Sequence, residues 1–115
     1  MNLNRAEYLK RLLSRYCGLP HTAARHPSLN DRRLAAQLFD RRISLAIIET
    51  AFLLAIARRT CRDPQAPPLP PIRSLAYFLP LIDEVQLLPP DPAYLAYLRT
   101  RVDLNVQIPT DLPDR

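Results

Sequence analysis

A fifteen-residue apolar run, Ile43 to Ala57 (ISLAIIETAFLLAIA), stands between two arginine pairs, Arg41-Arg42 and Arg58-Arg59. Nothing else in the chain restricts its fold as much. As a helix the run reaches about 22 Å and is interrupted by Glu49 and Thr50, so it falls short of the roughly 20 apolar residues that span a bilayer. Its apolar residues go round most of the helical circumference, which requires neighbours on several sides. The run therefore predicts the buried central helix of a small bundle, starting at a Ser44 cap, ending near Thr60 and collared by cations.

The rest of the chain supplies helices to surround it. Asn4 with Glu7 three residues on marks the start of a helix over Arg5 to Cys17, and Gly18 with Pro20 marks its end. Leu9, Leu12, Leu13 and Tyr16 form its apolar stripe, and Lys10, Arg11, Ser14 and Arg15 form a basic back. Ser28 caps a second helix with Asp31 in the capping-box position, running to Asp40 or Arg41 with Leu34, Ala35, Leu38 and Phe39 inward. Residues Asp63 to Pro71 (DPQAPPLPP) read as an extended, semi-rigid connector. Ile72, Leu75, Ala76 and Leu79 then keep helical spacing, continued by Ile82 and Val85, with a break near Leu79 because Pro80 cannot bond to the carbonyl of Ala76. Asp91-Pro92 opens a last helix to about Asp103, with Leu95, Leu98 and Val102 inward. The expected architecture is all-α, a bundle of about five helices with a buried central helix and a proline-rich connector. Residues 1–104 form one helical domain and 105–115 a loose C-terminal tail.

Composition closes several functional classes. With Gly18 the only glycine there is no phosphate-binding loop and no dinucleotide fingerprint. The carboxylates Asp31, Asp40, Glu49, Asp83, Glu84 and Asp91 show no spacing suited to a metal pair, and no nucleophile–base order stands out, so no enzyme and no cofactor are expected. Glu49, inside the apolar helix, is expected to pair with an arginine such as Arg33 or Arg73. Cys17, His21, His26 and Cys61 are the donor types of a tetrahedral zinc shell, but C-x3-H-x4-H with a remote fourth residue is no usual finger. The N-terminus lacks the apolar segment of an export signal, and the expected location is the cytoplasm.

What remains is charge. The formal net charge is +5, and of 16 basic residues all but Lys10 are arginine, whose planar fork suits phosphate. Arg32, Arg33, Arg41 and Arg42 lie around the start of the central helix; Arg58, Arg59, Arg62 and Arg73 lie around its far end and the connector. These eight are the candidate nucleic-acid contacts, two clusters separated by about 20 Å, comparable with a duplex width. The second helix, the RRIS turn and the central helix look like a helix-turn-helix. The central helix, however, offers only Ser44, Glu49 and Thr50 as polar groups, too few to read base edges. Tyr94, Tyr97 and Arg101 share a flank of the last helix and suit base stacking or a protein partner.

The stretch DRRLAAQLFDRRISLAIIETAFLLAIARRT followed by APPLPPIRSLAYFLPLIDEV resembles, over about residues 20–100, an uncharacterised helical domain of GC-rich bacteria found in mobile-element or replication-associated proteins. In that domain the turn often carries a glycine where this chain has Arg42. The resemblance implies an accessory role beside nucleic acid and no activity for individual residues. The leading expectation is a non-catalytic accessory protein that contacts DNA or RNA backbone through its arginines. The alternative is an interaction subunit that docks on a larger protein without touching nucleic acid.

Overall fold

The computed structural model describes residues 3–23 and 26–111, with side chains described through Val102. Among these residues five α-helices follow in the order α1 (Arg5–Cys17), α2 (Leu29–Asp40), α3 (Leu45–Thr60), α4 (Leu79–Leu87) and α5 (Pro92–Asp111), and a 3-10 turn, Leu75–Phe78, leads into α4. The chain is all-α. Among the described residues the only β pairing is a single parallel bridge, Thr22 to Ile72.

The caps read from sequence set the helix starts. The Asn4 side chain accepts the Glu7 N–H at 2.8 Å and Ser44 Oγ accepts that of Ile47 at 3.3 Å. At α2, Ser28 Oγ accepts the Asp31 N–H while an Asp31 carboxylate oxygen accepts the Ser28 N–H, both at 3.0 Å. Asp91 accepts the Ala93 N–H at 2.8 Å. Pro80 falls in the first turn of α4, where no intrahelical N–H is required, so the break comes at Phe78–Leu79 as the proline dictates. The helix ahead of it is shorter than the apolar spacing suggested: Ile72 is in the bridge, and Phe78 rather than Ala76 is buried. The last helix passes the expected stop at Asp103 and reaches Asp111, with no glycine along its length. Residues 112–115 of the expected tail lie outside the described residues.

Helix α3 is the hub, in contact with α1, α4, α5 and the 3-10 turn, while α2 packs on α1 and the turn. Ile48, Ala51, Phe52 and the run from Leu54 to Ala57 are buried. At roughly 25 cal/mol per Å2 of apolar surface, each such leucine, isoleucine or phenylalanine contributes about 1.5–3 kcal/mol. Around α3 stand Tyr8, Leu12, Tyr16, Leu38, Leu75, Phe78 and Ile82. Phe78 is the aromatic centre, edge-on to Phe52 at 4.7 Å and to Tyr16 at 6.1 Å. In α1 the buried stripe is Tyr8, Leu12, Leu13 and Tyr16, with Leu9 only half-buried. Tyr8 takes the inward place because its hydroxyl donates to the Ile43 carbonyl at 2.6 Å, and burial pushes its pKa up to about 12. Tyr16 is as deeply buried, yet its hydroxyl finds no partner.

Among the described residues one charged side chain lies inside. Asp31 is 1 % exposed, and its second carboxylate oxygen accepts the backbone N–H of Leu75 at 2.9 Å, across 44 residues of sequence. A capping residue thus also fixes where the 3-10 turn meets α2.

Helix α2 ends in a Schellman motif. Ile43 N–H bonds to the Leu38 carbonyl at 3.2 Å, and Arg42 N–H bonds to that of Phe39 at 2.9 Å, with Ile43 and Leu38 both buried. The motif needs a left-handed residue, and Arg42 occupies it at φ 61°. The sole glycine, Gly18, has φ −91° and makes no use of its conformational freedom.

Candidate nucleic-acid interface

Four of the eight candidate arginines are committed to the fold. Arg58 grips Glu84 of α4 through both terminal nitrogens, at 2.7 and 3.4 Å, and this hydrogen bonding holds the Glu84 carboxyl below its usual range. Arg59 donates to the Pro70 carbonyl at 2.6 Å and to the Tyr77 hydroxyl at 3.4 Å, with its guanidinium 5.7 Å from the Tyr77 ring centre. Its Nε is buried without a partner. Arg62 donates to the Pro67 carbonyl at 2.9 Å, and Arg41 approaches Asp83 at 3.5 Å.

Proline chemistry explains the use of Arg59 and Arg62. A segment such as PPLPP has five carbonyls and only the N–H of Leu69, so its acceptors must find donors elsewhere. The end of α3 supplies them, and the far arginine collar becomes a strap over the connector. The strap continues where Ile72 N–H bonds to the His21 carbonyl at 2.7 Å and Ala23 N–H bonds to the Ile72 carbonyl at 2.8 Å. His21 adopts φ 71° there; burial, with Arg59 nearby, lowers its pKa.

The other four, Arg32, Arg33, Arg42 and Arg73, are exposed, and their side chains make no hydrogen bond or ion pair among the described residues. Arg32 and Arg33 lie in the first turn of α2, and Arg42 just beyond its last. The eight residues therefore do not form two matching collars on α3. The available cations flank α2, and Arg73 stands apart beside the 3-10 turn.

Glu49 is exposed rather than buried, and its partner is Arg15 at 3.4 Å, not Arg33 or Arg73. That pairing removes Arg15 from the basic back of α1 and leaves Lys10 and Arg11. Arg101 donates to the Tyr97 hydroxyl at 2.7 Å, which joins two members of the expected aromatic flank of α5, and Tyr94 and Tyr97 are both exposed. Leu87 and Leu88, at the end of α4, are 82 % and 75 % exposed. Sequence periodicity pointed to neither.

Among the described residues no three histidine, cysteine, aspartate or glutamate side chains come close enough to hold a metal ion. Cys17 and Cys61 are free thiols. Burial and the nearby Asp31 push the Cys17 thiol up in pKa, and Arg32 pulls it down. No described helix is long and apolar enough to cross a membrane.

No protein-family model, no curated protein and no solved structure matches the chain.

Proposed function

We propose that this protein is a non-catalytic accessory subunit that holds the phosphate backbone of DNA or RNA through arginines flanking α2, in the setting of a bacterial mobile-element or replication complex. The observation behind this reading is that Arg32, Arg33, Arg42 and Arg73 are exposed without a carboxylate partner among the described residues. The cations at the two ends of α2 are about 15 Å apart by helical rise, on the scale of the roughly 12 Å major groove. Nothing in that arrangement reads base edges, so affinity without sequence preference follows.

A salt titration tests it. Binding to unrelated duplexes should weaken steeply between about 50 and 200 mM salt, and each phosphate-contacting arginine replaced by glutamine should reduce the salt slope by about one. Replacing Arg59 or Arg62 should lower stability and leave the slope unchanged. Absence of binding to any DNA or RNA at low salt refutes the proposal.

A second reading is favoured by one observation, the exposure of Leu87 and Leu88 at the α4–α5 corner. In that reading the corner docks on a larger protein and the arginines serve solubility. Substituting both leucines by glutamine should then abolish assembly while leaving the monomer folded.

A further inference from the structure

Helix α1 has two faces of use. One, through Tyr8, Leu12 and Tyr16, enters the core. The other, Ala6, Leu9, Lys10, Leu13, Ser14 and Cys17, follows the spacing i, i+3, i+4, i+7, i+8, i+11 and lines an open groove of about 720 Å3. Pro27 and Arg32, from outside α1, also line it. The floor is mostly apolar, with Leu9 and Cys17 half-buried and Leu13 buried between this groove and the core, and the groove runs about 17 Å along α1, three helical turns. Among the described residues no carboxylate lines it, and the two charges that do, Lys10 and Arg32, are both positive and both exposed.

We infer that this groove receives an amphipathic helix of a partner protein that presents aliphatic side chains along one edge and carboxylates beside them. The spacing is that of a helix seam lacking its second helix. A phosphate backbone would meet the two cations but gain nothing from Leu9, Leu13 and Ala6, whereas leucine side chains would fill that floor. The cations, one from α1 and one from α2, then set the sign of the partner's charge. This inference shares Arg32 with the phosphate reading above and differs from it in resting on the apolar floor.

The test is titration of the full isotope-labelled chain with a synthetic peptide of about 14 residues, leucines at heptad spacing and glutamates between them, followed by NMR. Amide shifts should saturate and map to residues 6–17 and 26–32. Lys10→Glu with Arg32→Glu should weaken binding at least about tenfold, as should Ala6→Glu, which puts a carboxylate on the stripe. All three positions are exposed, and an unchanged urea midpoint would certify that each variant is folded. A scrambled peptide of the same composition, or oligoglutamate of the same charge, should bind at least about tenfold more weakly. Equal binding by either overturns the inference, and so do shifts that map elsewhere. A short DNA duplex should shift only the amides around Arg32; one that also shifts residues 6–14 along the floor overturns the inference.

Discussion

Replacing Arg42 by glycine should stabilise the protein, although it deletes a residue at the end of a helix and adds backbone freedom. An L-residue in the left-handed conformation costs about 1–2 kcal/mol from the contact of Cβ with its own backbone, and Arg42 sits there at φ 61°. Glycine removes that cost but adds unfolded-state entropy worth about 0.4–1 kcal/mol. The net gain is about 0.5–1 kcal/mol. For 115 residues the unfolding entropy near Tm is about 0.24 kcal/mol/K, so Tm should rise by about 2–4 °C. The two Schellman hydrogen bonds are backbone-only and persist in the variant. Arg42→Ala separates backbone from charge, because alanine keeps the Cβ and loses the guanidinium; it should show no gain. The assay is thermal and urea unfolding of the three proteins side by side. An alanine variant as stable as the glycine variant, or a glycine variant less stable than the parent, refutes the reasoning. If glycine also weakens nucleic-acid binding, the position exchanges stability for contact, as strained residues at functional sites do.

Gly18→Ala should be neutral or stabilising by up to about 1 kcal/mol, since the added Cβ would meet nothing nearer than the Ser14 carbonyl at 3.4 Å; a clear drop in the urea midpoint would count against the geometry. Asp31→Ala should cost about 2–4 kcal/mol, combining a lost cap with a buried Leu75 N–H left unpaired, and hydrogen exchange at Leu75 should accelerate with it. Tyr8→Phe should cost about 1 kcal/mol, whereas Tyr16→Phe should be neutral or stabilising, since only Tyr8 has a partner for its hydroxyl. Alkaline unfolding follows from the same pair. Burial raises both hydroxyls to about 12 from an ordinary 10, so the unfolded chain gives up these protons first. The contribution of these two hydroxyls is complete below pH 10 and is lost as pH rises towards 12, and Tyr16→Phe should make that fall less steep.

The helix starts were legible because each depends on a cap and a first turn a few residues long: Asn4, Ser28, Ser44 and Asp91 all act as their local pattern says. The zone of Pro80 was legible for the same reason. What the chain does with its charges was not. Arg59 and Arg62 serve carbonyls of a connector whose path depends on the whole bundle, and Glu49 faces Arg15, 34 positions away, because α1 crosses the half-exposed start of α3. Tyr8 shares the i, i+4 face of Leu12 and Tyr16, but that its hydroxyl meets the Ile43 carbonyl follows only from the fold. A sequence marks where guanidinium groups are plentiful; only the fold says which are spent.

Helices α4 and α5 each lie on α3 and barely touch one another. The part of the chain after the connector therefore has no interior of its own: Leu75, Phe78, Ile82, Val85 and Leu98 lie on elements covered by α3 and, at the 3-10 turn, also by α2 and Tyr16 of α1. Cut within the exposed stretch from Pro67 to Leu69, the protein becomes two complementary pieces, the first with an uncovered apolar helix and the second a template-dependent wrapper. Mixed together, they would restore one hydrophobic interior across a noncovalent seam anchored by Asp31 and Leu75. Expressed alone, the first piece should aggregate and the second should stay unfolded.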